Sequence, residues 1–423
     1  MAFGHRGVKF VLKRGLGGRN DEHRTSNFQH PTSNDTVNRQ PPTVNCQMKV
    51  ALVKVALVHD WLNGMRGGEK VLEALCELFP EAEIFTLLLE RDKISSRISE
   101  MKIHTSFIQH LPFSFKHYRN YLPLFPRAIE RLDLTGFDLV ISTSHAVAKG
   151  CCPAPSAVNV CYCFTPMRYI WFLYREYFGE NFIKKILLNP CFSYLRRWDI
   201  KSSRRVGEFL AISNVVAERI NRIYNREAEI IYPPVDTDFF RPGGDIRDYY
   251  LIVSALVPYK ELDLAITAFN YLGLPLKVAG SGPQAEKLRG SAGPNIEFLG
   301  WQSDEELRLL YQGCRALIFP GVEDFGIVPL EAQACGRPVI GLGEGGLTES
   351  TIPLSDDGDG DPTGLFFAER TVEALIDGVK RFMEIESEFD PVAIRAHAEK
   401  FDRKIFKTNF SSKINQILAD KYS

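Results

Sequence analysis

The sequence predicts an α/β protein made of two doubly wound parallel sheets. Short apolar runs such as MKVALVKVALV, FDLVISTS and AVNVCYCF alternate with segments of helical period, the pattern of strands covered by helices on both faces. The alternation restarts after the turn at Tyr232-Pro233-Pro234 with YYLIVSAL, PLKVAGSGP, IEFLG and RALIFP, so a second sheet follows the first. A chain of 423 residues is also too long for one ordinary core. A cleft between the two halves is then the place to look for a ligand.

In chain order, residues 1–47 have no apolar periodicity and are rich in Arg, Asn, Gly, Pro and Thr. They read as a disordered extension, with apolar patches too short for a secretory signal and Met48 as an alternative start. Residues 48–235 form the first domain: strand MKVALVKVALV, helix GGEKVLEALCELF, strands AEIFTLLL, FDLVISTS and AVNVCYCF, a basic and aromatic helical stretch over about 169–205, and strand GEFLAIS. Residues 236–400 form the second: strand YYLIVSAL, a helix over 262–271, two more strands, helix DEELRLLYQGC and strand RALIFP. A final helix over 401–423 is expected to cross back toward the first domain. No repeat of a solenoid period is present.

Composition narrows the function. Lys plus Arg total 51 and Asp plus Glu 52, which gives no global bias toward nucleic acid. No run approaches the ~18 apolar residues of a membrane span. Nine cysteines lie mostly in apolar runs, as reduced thiols of a cytoplasmic setting do. Cys151, Cys152, Cys161 and Cys163 match no common zinc frame, and no metal is expected.

The segment GVEDFGIVPLEAQACGRPVIG, Gly321 to Gly341, carries the strongest chemical signal. It follows a buried strand and reads as a helix from Ile327 to Cys335 closed by Gly336, with Pro329 in the first turn. The amides of Phe325, Gly326 and Ile327 then sit unpaired at the positive end of the helix dipole, where phosphate is favoured. Glu331, one to two turns inside, can accept hydrogen bonds from a diol such as a ribose, while Glu323 in the loop faces the other end of the ligand. Acids that merely complement the helix dipole fit the same spacing.

Other residues are weaker signals. Lys260 follows strand YYLIVSAL and a turn, which projects its ammonium into the crevice or caps the turn at the surface. Gly280 and Gly282 mark a tight turn after a strand, and Gly67 with Gly68 marks either a close backbone approach or a helix start with Glu69 in its first turn. From Lys184 to Arg205, seven Lys and Arg stand among Phe182, Phe192, Tyr194 and Trp198. That stretch reads either as a surface for anionic lipid or as a solvated helix face with a core stripe.

Together with SALVPYKELDLAITAFN, GSGP, YPPVDTDFF and VHDWLNGMRGGEKVLE, the Gly321–Gly341 segment resembles family 4 of the retaining glycosyltransferases, in particular bacterial mannosyltransferase-like enzymes of polysaccharide synthesis. The resemblance runs from about Met48 to the C-terminus. It implies the GT-B fold: two Rossmann-like domains facing across a cleft, a nucleoside diphosphate sugar held mainly by the C-terminal one, and no metal or other cofactor. Carried over by residue, it implies Lys260 for the diphosphate, Glu323 toward the donor hexose and the reacting centre, the Phe325–Ile327 backbone for sugar and phosphate, and Glu331 for the ribose. Gly280 and Gly282 would lie on the nucleotide side, and Gly67 and Gly68 near the diphosphate or acceptor. It further implies retention by same-face attack, GDP-mannose as first donor, and a glycan or polyprenyl-diphosphate-linked acceptor; the lipid reading of the Lys184–Arg205 stretch, with peripheral contact at the inner face of the membrane, would suit such an acceptor.

The chain departs from the family pattern twice. Ala255 stands where many members place an Arg on the leaving diphosphate, which leaves Lys260, the helix start and Arg66 or Arg168 to meet its charge. Phe164 stands where His is usual, and His145 in STSHAVAKG is the candidate substitute or an ordinary loop histidine. These departures keep open a catalytically impaired donor-binding homologue, beside a nucleotide-sugar epimerase on the same scaffold. In SDDGDGDP, Asp357, Gly358 and Asp359 imitate the Asp-x-Asp of metal-dependent enzymes, but Pro362 and the lack of a closing Glu favour a solvated insertion.

Overall fold

The computed structural model describes residues 53–172, 182–354 and 360–422. The extension over 1–47, Met48, and Asp357-Gly358-Asp359 lie outside the described residues, as do the side chains of Lys184 and Lys185. Among the described residues the first sheet has seven strands: β1 Val55–His59, β2 Glu83–Thr86, β3 Lys102–Thr105, β4 Leu139–Ser144, β5 Val158–Cys163, β6 Glu208–Ala211 and β7 Glu229–Ile230. The second has six: β8 Tyr250–Val253, β9 Leu276–Ala279, β10 Ile296–Gly300, β11 Leu317–Phe319, β12 Val339–Leu342 and β13 Gly364–Phe367.

Their orders, β3-β2-β1-β4-β5-β6-β7 and β10-β9-β8-β11-β12-β13, reverse direction beside the first strand of each half. All the neighbours pair in parallel. Such a reversal opens a crevice at the carboxyl ends of the central strands, β1 and β4 in one sheet and β8 and β11 in the other. β1, β4 and β5 are buried along their whole length, because alternate side chains enter two different cores. Leu57 and Ile141 join Ile84 and Val160 on one face. Ala56, Val58 and Val140 join Phe85 on the other.

The basic stretch includes a helix, Phe182–Ser203, whose side chains are described from Asn189 onward. Phe192, Leu195 and Trp198 are buried, and Lys149 forms a buried ion pair with Asp199 at 2.7 Å. Arg196 donates to the Ile170 carbonyl and Arg205 pairs with Glu130. From Asn189 onward the packing shows a core stripe, while Tyr194 and Ile200 stay exposed. No helix of the described residues is long and apolar enough to cross a membrane.

The chain returns to the first half through its last helix, Arg403–Tyr422. At the crossing, the Val235 amide donates to the Phe401 carbonyl and the Arg403 amide to the Val235 carbonyl, both at 3.0 Å. Phe406 and Phe410 then pack on Tyr162 of β5, each 5.8 Å between ring centres. Arg403 reaches Glu73 and Glu77 on the helix Gly67–Leu78. Since Phe410 is fully buried in this seam, Phe410→Ala should destabilise the fold by about 3–5 kcal/mol. A lower denaturation midpoint in urea would register the loss.

Candidate active site

The carboxyl edges of the two sheets enclose a cavity of about 370 Å³. The N-terminal half lines it with Gly67, Gly68, His145, Phe164 and Arg168, and the C-terminal half with Ala255, Lys260, Glu323 and the run Phe325-Gly326-Ile327. Glu331, Gly280 and Gly282 do not line it.

On the C-terminal side the site is built around the start of the helix Ile327–Ala334. Gly326 holds φ 90°, a left-handed conformation open to glycine at little cost, and offers no side-chain cap. Among the described residues the amides of Phe325, Gly326 and Ile327 have no acceptor. The loop is clamped from behind: the Gly346 amide donates to the Glu323 carbonyl at 2.9 Å, and a Cβ on Gly346 would lie 2.2 Å from the Phe325 Cα. Phe325 itself stacks on Tyr232 at 5.4 Å. All three residues line the cavity, and free amides at a helix start can bind an anion.

Lys260 enters from the turn Pro258–Lys260 after β8 and forms an ion pair with Glu323. Burial pulls its ammonium down to about 7, with the Arg168 guanidinium acting the same way and Asp324 opposing. Arg168, from the first half, pairs with Asp324 at 2.6 Å, and Arg219 holds the other oxygen of the same carboxylate. Burial works to raise the Asp324 carboxyl, but Arg168 and Arg219 outweigh it and hold it below the usual range. This cluster carries a second cation to the cavity wall from the opposite domain, in a cavity that Ala255 also lines.

Glu331 is engaged elsewhere. Only 4% exposed, it accepts from Tyr311 at 2.8 Å and pairs at 3.0 Å with Lys70 of the helix Gly67–Leu78, across the cleft. Lys70 also reaches Asp304 at 3.3 Å. Gly280 and Gly282 serve strand packing: a Cβ on either would fall 1.9 Å from the Ser254 carbonyl oxygen or 2.4 Å from that of Leu256. Gly67 and Gly68 do both things the sequence allowed. They begin a helix whose Glu69 accepts from the Arg66 amide, and they form the cavity wall, Gly67 against Ile327 and Gly68 against Phe164.

His145 is positioned by a residue that the sequence reading missed. Asp60, fully buried after β1, accepts the amides of His145, Ala146, Val147 and Ala148 at 2.6–2.9 Å. It also contacts the His145 Nδ1 at 3.1 Å. Burial disfavours its ionised form, yet the charge and hydrogen bonds of His145 prevail and keep the carboxyl well below the usual range. Trp61 meets the His145 ring edge-on at 4.5 Å. His59, also missed, lines the cavity with its Nδ1 2.7 Å from the Thr143 Oγ1 and its buried Nε2 3.9 Å from the Glu69 carboxylate, with no closer partner among the described residues. Both residues end a buried strand at the point where the sheet order reverses, and that position was the available signal.

Rossmann-like sheets opposed edge to edge across such a cavity define the GT-B class of glycosyltransferase scaffolds. Residues 65–239 match the description Glycosyltransferase Family 4, and residues 238–401 match Glycosyl transferases group 1. The chain belongs to family 4 of the GT-B glycosyltransferases. It is 26% identical to the O-antigen chain mannosyltransferase RfbU of Salmonella typhimurium over 51% of this chain and 62% of the relative. It is 29% identical to the GDP-mannose-dependent alpha-(1-6)-phosphatidylinositol monomannoside mannosyltransferase of Mycobacterium tuberculosis over 43% of this chain and 54% of the relative. The matched stretch thus spans little more than half the length of these relatives. In fold it is similar to Anabaena HepE, solved with UDP-glucose, at a TM-score of 0.62 and 14% identity, over 86% of this chain and 99% of that one.

Asp60→Ala would strand four amides, three of them buried, and each buried unsatisfied group costs about 1–3 kcal/mol. The variant should melt several degrees lower and lose the ordered His145 loop, which amide hydrogen exchange over residues 145–148 would detect.

Proposed function

We propose that the protein is a retaining, metal-independent hexosyltransferase that moves mannose from GDP-mannose to a hydroxyl of a glycan or polyprenyl-diphosphate-linked acceptor. The observation that carries this reading is the unpaired Phe325–Ile327 amides facing a cavity that also holds Lys260 and Glu323. Three amides and one ammonium suit the diphosphate of the donor. Two relatives are named as mannosyltransferases, one of them as GDP-mannose-dependent, which supports the choice of donor.

In this reading residues 236–400 hold the donor and residues 48–235 present the acceptor. The bond from the anomeric carbon to the diphosphate oxygen breaks, and the acceptor oxygen bonds to the same face. The acceptor proton passes to the departing phosphate. Lys260, Arg168 and the helix start meet the leaving charge, while Glu323 orients the hexose. His145, fixed by Asp60, supplies the hydrogen-bonding ring that Phe164 cannot. Glu331 takes the ribose once Lys70 releases it. Ala255 and Phe164 both line the cavity, and they favour, as a second reading, a homologue that binds donor with little turnover.

A thermal-shift panel of GDP, UDP and ADP sugars tests the donor, since a ligand of the folded state raises its melting temperature. GDP-mannose should give the largest rise, and no rise with any of them removes the reading. Labelled donor without acceptor separates transfer from epimerisation, which would return an altered free donor.

Lys260→Ala should lower kcat by about 100-fold or more with a smaller effect on donor affinity. Glu331→Ala should weaken donor binding by roughly 10-fold or more, the value of hydrogen bonds to a charged group. Unchanged kinetics in both would displace the site.

Donor affinity should also depend on pH. With the Lys260 ammonium lowered to about 7, the charged form is populated below that pH and lost above it. Binding a diphosphate above pH 7 therefore requires proton uptake. Between pH 7.5 and 9, GDP affinity measured by calorimetry should fall by up to about 10-fold per unit. Lys260→Met should flatten the profile.

A further inference from the structure

We propose that His59 is a positioning residue for donor binding: it keeps the Glu69 carboxylate on its own helix start, which holds the Gly67–Gly68 turn and spares the donor diphosphate a competing anion. The proposal rests on the reading of this cavity as the seat of a diphosphate sugar. His59 is 1% exposed and Glu69 4%, and both line the cavity. A carboxylate buried that deeply needs compensation.

Two neighbours supply it. At the start of the helix Gly67–Leu78 the Arg66 amide donates to the Glu69 Oε2 at 3.1 Å, while from the end of β1 the His59 Nε2 faces the Oε1 at 3.9 Å. Burial works to raise the Glu69 carboxyl, but the His59 imidazole and then the Arg66 guanidinium outweigh it and keep it below the usual range. An ionised carboxylate at that distance favours the imidazole tautomer with its proton on Nε2. The ring is held on its other side as well. Its Nδ1 lies 2.7 Å from the Thr143 Oγ1, and in the sheet His59 stands in register between Thr86 of β2 and Thr143 of β4. Asp60, the next residue, fixes the His145 loop, so the end of β1 sets both parts of this wall.

The turn that Glu69 anchors has close neighbours. A Cβ on Gly67 would come within 3.0 Å of the Ile327 side chain, and one on Gly68 within 3.3 Å of Phe164 and 3.7 Å of the His59 ring. Ile327 opens the helix that offers its amides to the cavity. Without His59, the Glu69 charge would lose its larger compensation beside the place of the diphosphate. Repulsion between the two anions would then fall on donor binding.

The test measures binding of GDP-mannose and of inorganic pyrophosphate to the full chain by calorimetry at neutral pH. His59→Leu should weaken both by at least roughly 10-fold. His59→Gln, which still offers an N–H, should lose less, and His59→Leu/Glu69→Gln should regain most of the loss because the charge is gone. A side chain that merely filled space would give no such recovery. Binding by His59→Leu within about 2-fold of the wild type, or a double variant no better than the single one, would overturn the proposal. If His59→Leu does not fold, Thr143→Val, which frees the imidazole, should weaken both ligands several-fold, and unchanged binding there would count against it equally. Pyrophosphate binding that follows this order, without any binding of GDP-mannose, would remove the functional reading and leave this one standing. A wild type that binds neither ligand would end both.

Discussion

A helix start with three amides that find no acceptor among the described residues, at the wall of a cavity, is the constraint around which this site is organised. Buried amides need a partner, and the surroundings of this pole withhold one. Gly326 brings no side chain, and Gly346 presses the loop forward. Asp324, the carboxylate next to the pole, is turned aside by Arg168 and Arg219. Had Asp324 capped the helix itself, the pole would be quenched. Two arginines from the opposite domain therefore do more than join the halves: they keep the nearest competing anion away.

The opposite wall obeys the same logic with the signs reversed. Asp60 is a buried anion satisfied by four amides of one loop, and through them it sets where His145 stands. The Trp61, His145 and Phe164 rings extend that ordering along the wall. Both walls thus use a carboxylate to fix a loop at a carboxyl edge, and one departure from the family pattern, Phe164, stands beside the His145 ring brought in from another element.

The sheets were legible because strands buried on both faces leave continuous apolar runs, and a proline pair marks the restart. The helix start was legible because Pro329 and Gly336 bracket it. What periodicity could not supply was the partner of each polar group. Glu331 fits the spacing of a ribose ligand, yet its engagement by Lys70, 261 positions away, exists only after the two halves meet. Gly280 and Gly282 signal a turn equally well whether a nucleotide or the Ser254 and Leu256 carbonyls press on them. For the basic stretch, Lys149 decides which side faces inward by pairing with Asp199, and that match depends on tertiary packing. His59 and Asp60 fall in the run VHDWLNGMRGGEKVLE, but only the fold sets them at and just past the end of β1 beside β4.

The Lys70–Glu331 pair ties the first helix of one half to the donor-side helix of the other. Any guest that claims this carboxylate displaces the lysine and gives up one of the bonds holding the jaws together. The strength of that seam and the availability of the Glu331 carboxylate are therefore linked through one ammonium.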